Sequence, residues 1–240
     1  VTRREGMLRV APELLDDLID LTSELLIAQE DLGSEEQVFK FQALIQAVGH
    51  QAMQLRMVPL QTVADRFPRM VRDMARQGGK EVVFEIRGRD VEMDRALLDS
   101  LADPLMHLLR NSVDHGIEGP EERSRAGKPA EGTVTLEASR RKDGVIIQVF
   151  DDGRGIDPNA IRQAAVTGGL LSEDKAQTLP EPDLFRLLTL PGFTTKAEVS
   201  EISGRGVGMD VVQSMVQSLQ GSVLIESVRG KGTTVTLKLP

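Results

Sequence analysis

The sequence contains no cysteine, tryptophan or tyrosine, and its only aromatic residues are seven phenylalanines. The absence of cysteine excludes disulfides and thiol chemistry, and a zinc site would need other ligands. The three histidines are too few and too scattered to favour a metal centre. No apolar run approaches the roughly 18 residues of a membrane-spanning helix, and no signal-peptide pattern opens the chain. Aliphatic side chains must therefore pack most of the interior.

Positive charge is also in short supply. The chain has 29 Lys and Arg against 37 Asp and Glu, for a net charge of −8. Proteins that bind the phosphates of nucleic acids usually carry a basic surface, so we expect no nucleic-acid partner. At 240 residues the chain is long enough for one large domain or two small ones. We expect a cytoplasmic protein with no direct membrane insertion.

Two segments near the N-terminus repeat apolar residues at alternating spacings of three and four. The first contains Leu14, Leu18, Leu21, Leu25, Ala28 and Leu32, and the second contains Val38, Phe41, Ile45, Val48, Ala52 and Leu55. This heptad pattern predicts two helices that form an antiparallel hairpin. Their apolar faces are too broad for one hairpin to bury, which favours a homodimeric four-helix bundle. The alternative is that the hairpin packs on its own downstream domain.

Residues 1–57 are therefore predicted to be a helical-hairpin dimerisation domain, and residues 58–240 a second domain of α+β class. Its pattern predicts helices over 60–77, 94–116, 158–167, 184–190 and 207–219, and strands over 81–87, 132–139, 145–151, 222–228 and 233–239. Within 94–116, Asp103-Pro104 predicts a helix restart, with the proline in the first turn. The stretch 168–205 is weakly patterned.

The predicted helix over 104–115 places five polar residues on one side, opposite a leucine-rich face. They are His107, Arg110, Asn111, Asp114 and His115. An asparagine amide oxygen is a suitable hard ligand for Mg²⁺, and a histidine can transfer protons near neutral pH. A plain solvated face is the alternative interpretation, and this helix alone leaves both open.

Three glycine-containing segments follow in the chain. Asp151, at the end of an apolar strand, is followed by Gly153 and Gly155, so that its carboxylate could reach a ligand while the backbone stays close. A capped turn is the alternative. Glycines 204, 206 and 208 open a helix whose free amides could hold phosphates, although neither Rossmann nor P-loop spacing is present. Gly230-Lys-Gly-Thr233 could be an ordinary hairpin turn.

In this order the segments resemble the N, G1, lid, G2 and G3 boxes of ATPases with the Bergerat (GHKL) fold. Four segments look like the CheA family of chemotaxis histidine kinases: His107-Leu-Leu-Arg-Asn-Ser-Val-Asp-His-Gly116, Asp151-Asp-Gly-Arg-Gly-Ile156, Pro191-Gly-Phe-Thr-Thr-Lys196 and Ser203-Gly-Arg-Gly-Val-Gly-Met-Asp210. The resemblance covers essentially all of residues 7–240. It implies a Bergerat-type α/β sandwich that follows the dimerisation hairpin.

The resemblance also implies a role for each matching residue. Asp151 would accept a hydrogen bond from the exocyclic amine of adenine, Asn111 would bind Mg²⁺, and His107 would assist phosphoryl transfer at the γ-phosphate. Residues 168–203 would form an ATP lid. The further ATP-binding residues are Arg110, Asp114, His115, Gly153, Gly155, Ile156, Phe193, Thr194, Lys196, Gly204, Gly206, Gly208, Met209 and Thr233.

The implied activity is that of a Mg²⁺- and ATP-dependent protein-histidine kinase, which transfers the γ-phosphate to a histidine on a separate phosphotransfer domain. By resemblance its partners are a second copy of the chain, that phosphotransfer domain, a CheW-like adaptor, chemoreceptors and a downstream response regulator. The remaining histidine, His50, lacks the acidic neighbour of a typical phospho-acceptor and is interpreted as a helix-surface residue.

Two departures from the family pattern leave an alternative open. The hairpin arms, at about 25 residues, are roughly 38 Å long, which is shorter than the family's usual arms. Ala164 also stands where the family often carries a lysine. A catalytically weak, nucleotide-binding dimerisation scaffold is therefore the alternative. A gyrase- or Hsp90-like ATPase is less favoured, because those proteins carry a glutamate where His107 stands.

Overall fold

The computed structural model describes residues 12–29, 35–193 and 208–240. The chain divides into two compact units, one of Val1–Val58 with Glu92–Arg95 and one of Pro59–Val91 with Ala96–Pro240. Within the described residues, no helix has both the length and the apolar character needed to cross a membrane.

The first unit is built on two helices, α1 (Pro12–Gln29) and α2 (Glu35–Gln54). They run antiparallel, since Nε2 of Gln51, near the end of α2, donates to Oδ2 of Asp17, near the start of α1, at 3.2 Å. The described residues therefore contain the two predicted helices in an antiparallel arrangement, and the dimerisation role of this hairpin stays a prediction. The linking segment around Gly33 lies outside them.

A short pair of strands, missed by the sequence analysis, closes this unit. Strand β1 (Met57–Pro59) pairs with β3 (Glu92–Asp94). Arg56 reinforces the pairing, because its Nη2 lies 3.1 Å from Oδ1 of Asp94 and its carbonyl accepts a hydrogen bond from the backbone of Arg95. Strands of three residues are too short for an alternating pattern to reveal.

The second unit is α+β and contains a five-stranded mixed sheet, in the order β2-β4-β5-β7-β6. Its strands are β2 (Val82–Arg87), β4 (Gly132–Arg141), β5 (Gly144–Asp151), β6 (Ser222–Val228) and β7 (Gly232–Leu239). Strand β2 pairs parallel with β4, and all other pairings are antiparallel. Because alternate residues of a strand face opposite sides, burial of Val145, Ile147 and Val149 gives β5 one core-facing side.

Helices supply the other layer of this unit. They are α3 (Gln61–Ala64), α4 (Phe67–Gln77), α5 (Arg95–Asn111), α6 (Pro120–Arg125), α7 (Pro158–Thr167), α8 (Glu173–Thr178), α9 (Glu181–Leu187) and α10 (Met209–Ser218). A π-helical turn, Ser112–Gly116, continues α5. The buried leucines of α5 form the largest apolar contribution of any described helix: Leu98, Leu101, Leu105, Leu108 and Leu109.

The predicted restart at Asp103-Pro104 is wrong. Helix α5 runs without interruption through Pro104. A proline inside a helix removes one backbone hydrogen bond and costs roughly 3 kcal/mol. Burial of the leucine face on both sides of Pro104 offsets this cost, because a break would turn part of that face away from the core.

Other boundaries differ where elements are short. The helix predicted over 60–77 is split into α3 and α4 at Asp65-Arg66, and α4 begins with a proline in its first turn. Helices α6 and α8, with six residues each, were not predicted, because fewer than two turns show no clear periodicity. Helix α9 starts at Glu181 and not at Leu184, since Pro182 in its first turn favours an earlier start.

Candidate nucleotide site

The polar side of α5 and its π-helical continuation carries the five residues that the sequence singled out. Leu105, Leu108, Leu109 and Val113 are buried on the other side. His107 and Asn111 are half-buried, whereas Arg110, Asp114 and His115 are exposed. A purely solvated face would leave all five exposed, so the partial burial of His107 and Asn111 argues against that interpretation for these two residues.

His107 and Asn111 contact each other directly, one helical turn apart. Nδ2 of Asn111 lies 2.9 Å from Nε2 of His107. An amide nitrogen only donates, so Nε2 accepts in this arrangement and the proton of the neutral ring lies on Nδ1. The same contact turns the amide oxygen of Asn111 away from the histidine, where it is available to a cation.

The surroundings of His107 keep its imidazole neutral at pH 7. Burial lowers its pKa, and the nearby positive charge of Arg110 lowers it further, although Asp210 acts in the opposite direction. A neutral imidazole can accept a proton, whereas a protonated one cannot. His107 is therefore in the protonation state that proton transfer from an attacking group requires.

Lys80 fixes the π-helical turn that carries Asp114 and His115. Its Nζ donates to the carbonyl oxygens of Val113 at 2.7 Å and Asp114 at 2.8 Å. No backbone N–H four residues further along the chain donates to these carbonyls, because the regular helix ends at Asn111. Burial lowers the pKa of Lys80. Lys80 was not predicted as a site residue, because it lies 33 positions from Val113 along the chain.

Asp151 lies at the end of β5, and only 3% of its surface is exposed. Its carboxylate accepts hydrogen bonds from the backbone nitrogen of Gly153, at 3.1 Å, and from the Ser112 side chain and the Thr233 backbone. Burial raises its pKa to about 6 despite these bonds. A carboxylate has about four lone-pair positions, so that Asp151 can accept one further hydrogen bond from a ligand.

Two glycines allow the backbone to lie against this carboxylate. A Cβ on Gly116 would be 2.8 Å from Oδ1 of Asp151, and a Cβ on Gly153 would collide with the carbonyl of Gly116. The π-helical turn and the Asp151–Gly153 segment therefore pack with no space for side chains between them. These glycines explain why the two motifs, 35 or more residues apart in sequence, can form one site.

The turn between β6 and β7 closes the same end of the sheet. Thr233 pairs with Asp151 in the β5–β7 register. Ser227 receives a hydrogen bond from the backbone nitrogen of Ile156, at 2.8 Å, and lies 3.0 Å from the Thr233 hydroxyl. Gly155 adopts a φ of +67° against the carbonyl of Val228, a conformation and a contact that a Cβ would prevent.

Helix α10 begins beside the His107 face. Gly208 is its N-cap, and the carboxylate of Asp210 acts electrostatically on His107. Asp210 also accepts a hydrogen bond from the backbone nitrogen of Gly192, at 3.4 Å, next to the half-buried Phe193. Thr194, Lys196, Gly204 and Gly206 lie outside the described residues. Asp210 belongs to the Ser203–Asp210 motif, but no role was predicted for it from the sequence.

Divalent cations would find few protein ligands here. Across the described ranges, no group of three or more His, Asp or Glu residues is arranged to hold a metal ion. The amide oxygen of Asn111 is a hard, neutral ligand. Such a site suits Mg²⁺, which keeps several waters and takes its remaining ligands from substrate phosphates.

Residues 100–240 match the family model described as histidine kinase-, DNA gyrase B- and HSP90-like ATPase. The chain belongs to this ATPase family. The match contains every site residue described above except Lys80, and it agrees with the Bergerat-type interpretation of the sequence. ATP is accordingly the substrate class of the second unit.

Comparison with individual relatives makes the similarity more specific than the ATPase family. The chain is 44% identical over 97% of its length to a chemotaxis protein CheA of Halobacterium salinarum, and 40% identical, also over 97%, to that of Bacillus subtilis. A gliding motility regulatory protein of Myxococcus xanthus is 50% identical over 77% of the chain. The chain covers 36%, 36% and 24% of these relatives, so that it spans about a third of their length or less.

Proposed function

We propose that the chain is the ATP-dependent catalytic core of a protein-histidine kinase of the CheA type, and that it acts in a chemotaxis-like two-component system. The observation that carries the proposal is the half-buried pair of His107 and Asn111, held 2.9 Å apart on a helix that ends against the buried Asp151 carboxylate. The similarity to CheA proteins over nearly the whole chain supports it.

Asp151 would recognise the adenine ring. Its carboxylate is fixed by three protein donors and, with a pKa of about 6, is mostly ionised at pH 7. It therefore accepts hydrogen bonds, and adenine offers an amine at the position where guanine has a carbonyl oxygen. The Gly153–Ile156 segment would lie along the base, and Thr233 would fix the Asp151 end of β5.

Asn111 would hold Mg²⁺ through its amide oxygen. When bound, Mg²⁺ neutralises charge on the phosphates and orients them. Arg110, Asp114 and His115 are exposed on the same face, where the two basic residues could pair with phosphate oxygens. We assign phosphate contacts also to Gly208 and Met209 at the start of α10 and to Gly204 and Gly206, and lid contacts to Phe193, Thr194 and Lys196.

His107 would assist the phosphoryl transfer itself. The acceptor histidine's nitrogen forms a bond to the γ-phosphorus, the bond from that phosphorus to the β–γ bridging oxygen breaks, and ADP leaves. The acceptor imidazole that attacks through one nitrogen can lose its remaining proton during the step. A neutral His107 beside the γ-phosphate can accept a proton or hydrogen-bond a phosphate oxygen as charge develops.

The hairpin of α1 and α2 would form the homodimer. Apolar side chains on both helices stay exposed in the single chain, including Ile19 at 53%, Ile27 at 72% and Ile45 at 48% exposure. Exposed apolar residues of this size are costly in water. Pairing two hairpins into a four-helix bundle would bury them.

The remaining partners follow from the similarity to CheA. We infer a separate phosphotransfer domain as acceptor, a CheW-like adaptor and chemoreceptors upstream, a response regulator downstream, and a cytoplasmic location. The alternative of a catalytically weak scaffold is not favoured, because the pair of His107 and Asn111 is intact and the similarity is to kinases.

Transfer of labelled phosphate tests the proposal. The chain is incubated with γ-labelled ATP, Mg²⁺ and the phosphotransfer domain of a CheA relative, beside His107→Gln. Wild type should label an acceptor histidine. The variant, which keeps a polar side chain but cannot take the proton, should be at least about 100-fold slower while its ATP affinity stays within about threefold.

Two results would contradict the kinase assignment, and a third would contradict the role of His107. Tight ATP binding without transfer to any acceptor histidine would favour a scaffold. Steady ATP hydrolysis without an acceptor would favour a gyrase- or Hsp90-like ATPase. Transfer by His107→Gln at the wild-type rate would remove His107 from the step. Gln163→Ala, on the exposed side of α7, is the matched control and should behave as wild type.

A further inference from the structure

A partly buried cluster of two cations and two carboxylates contacts the Asp151–Gly153 segment. Its members are Glu118, Arg123, Lys128 and Asp152. We propose that Arg123 and Lys128 are positioning residues for nucleotide selectivity, because they fix the peptide bond between Asp152 and Gly153 and thereby orient the Asp151 carboxylate. The proposal rests on the adenine-binding role proposed above for Asp151.

The central element is a single peptide unit held from both ends. Its carbonyl oxygen, on Asp152, accepts from Nζ of Lys128 at 3.0 Å and from Nη1 of Arg123 at 3.3 Å. Its N–H, on Gly153, donates to Oδ1 of Asp151 at 3.1 Å. A peptide unit is planar and rigid, with C=O and N–H pointing in opposite directions. Fixing the carbonyl therefore aims the N–H at the Asp151 carboxylate.

Arg123 is itself held so that it cannot turn away. Its side chain is fully buried, and its guanidinium makes two parallel bonds to the Asp152 carboxylate, at 2.9 and 3.2 Å. Nε donates to the carbonyl of Pro129 at 2.7 Å, and Nη2 donates to that of Glu131 at 3.3 Å. Bidentate pairing fixes the plane of the guanidinium as well as its distance from the carboxylate. The bonds to Pro129 and Glu131 then allow this plane only one orientation.

Lys128 uses its ammonium group on the same backbone. Nζ donates to the carbonyl of Gly153 at 2.7 Å and to Oε1 of Glu118 at 2.8 Å, in addition to the Asp152 carbonyl. An ammonium has three protons, and these three bonds account for all of them. The two residues that follow Asp151 are therefore tied to one cation.

Glu118 connects this cluster to the π-helical turn on the other side of the site. It lies two residues after Gly116, is 4% exposed, and pairs with Arg123 at 3.1 Å as well as with Lys128. Burial opposes its ionisation, but the hydrogen bond from Lys128 and the nearby cations prevail and lower its pKa. The buried Arg123 and the half-buried Lys128 thus face two carboxylates, and the cluster is balanced in charge.

The position of the cluster explains why charged residues are present where apolar residues would stabilise the fold as well. A buried ion-pair cluster is often no more stabilising than apolar residues of the same volume. It does, however, provide several directional bonds to backbone atoms, which apolar side chains cannot. The structure therefore assigns Arg123 and Lys128 to orientation of the base-recognition segment, and the α6 region becomes part of nucleotide selectivity.

Lys128→Met tests the inference on the full chain, because it keeps the length of the side chain and leaves the Arg123–Glu118 pair in place. Dissociation constants are measured for ATP and for purine riboside 5′-triphosphate, which lacks the exocyclic amine. A hydrogen bond to a charged group distinguishes the two by about 10- to 100-fold in wild type. Lys128→Met should reduce this ratio at least about threefold, with little change in affinity for the analogue.

Arg123→Lys, which retains the charge but loses the bidentate geometry, should also reduce the ratio and thus provides a second variant. Arg125→Met removes an exposed cation from the same helix and should keep the wild-type ratio. If Lys128→Met and Arg123→Lys lower the affinity for both nucleotides equally, or for neither, the positioning role is overturned. The adenine-binding role of Asp151 is not contradicted by that result. If wild type itself binds both nucleotides equally, the adenine role of Asp151 fails, and this inference fails with it.

Discussion

Asp151 shows how a single residue can be assigned a chemical role from its surroundings. Burial raises the pKa of its carboxyl group and the three protein donors lower it, which gives a pKa of about 6. Asp151 is therefore mostly ionised at pH 7. Because this native value is above the value of 3.8 expected for an unfolded aspartate, the folded chain binds a proton more tightly than the unfolded chain between these two values.

A pH-dependent stability follows. The protonated Asp151 contributes stability that is fully present below about pH 4 and is lost as pH rises through about 6, which amounts to about 3 kcal/mol. Asp151→Asn cannot titrate. Urea unfolding of both chains from pH 4 to pH 8 should show the free energy of unfolding of wild type falling relative to the variant over this window. A constant difference between the two would contradict the burial of an ionisable carboxylate at this position.

The sequence predicted the polar residues of the site better than the contacts that hold them. His107, Asn111 and Asp151 were found from helical spacing and from their position at a strand end. Lys80 and Arg123 were not found, because their partners lie 33 and 29 positions away and a lysine or arginine has no spacing that reveals such a partner. The hydrogen bond from the Ser112 side chain to Asp151 was not predicted either.

At the scale of elements, the end of α5 is the feature that organises the site. The regular helix changes at Asn111 into a π-helical turn, which brings Gly116 against Asp151. Such turns expose backbone carbonyls that need partners. Lys80, from the segment between α4 and β2, supplies two of these hydrogen bonds.

Lys80→Met should therefore loosen this turn. Loss of a charged donor to two carbonyls, in a half-exposed position, should cost about 1–2 kcal/mol. The measurement is thermal unfolding together with amide hydrogen exchange of residues 112–118. Exchange there should accelerate more than in the sheet, whereas Lys175→Met, an exposed lysine in α8, should leave it unchanged. Equal exchange in the Lys80 variant and wild type would show that the turn does not need this residue.

The elements themselves were predicted unequally, for physical reasons. Long periodic segments such as α1, α2 and β5 follow from local pattern alone. The continuity of α5 through Pro104 could not be predicted from local pattern. The cost of the proline is offset by leucines that are buried only once the whole unit has formed. Helix α6 is too short to show a period, yet it carries Arg123.

At the scale of the whole molecule, the described hairpin leaves apolar side chains exposed on both of its helices. If two hairpins pair, light scattering should give about twice the mass of the 26.3 kDa chain. The double variant Val38→Glu/Ile45→Glu places charges on the predicted seam and should yield monomers at micromolar concentration. Gln46→Glu, exposed beside the seam, should remain dimeric. A wild-type chain that is monomeric, or a double variant that is dimeric, would contradict the dimerisation role.

We propose that α5 and the Asp151–Gly153 segment form one Mg²⁺–ATP site. Calorimetric titration with ATP, with and without Mg²⁺, tests this proposal when wild type, Asn111→Ala and the exposed control Asn159→Ala are compared. Mg²⁺ should strengthen ATP binding by at least about tenfold, or about 1.4 kcal/mol, in wild type and in Asn159→Ala. Asn111→Ala should lose most of this gain while binding Mg²⁺-free ATP nearly as well as wild type. The full Mg²⁺ effect in Asn111→Ala would show that Asn111 does not hold the cation.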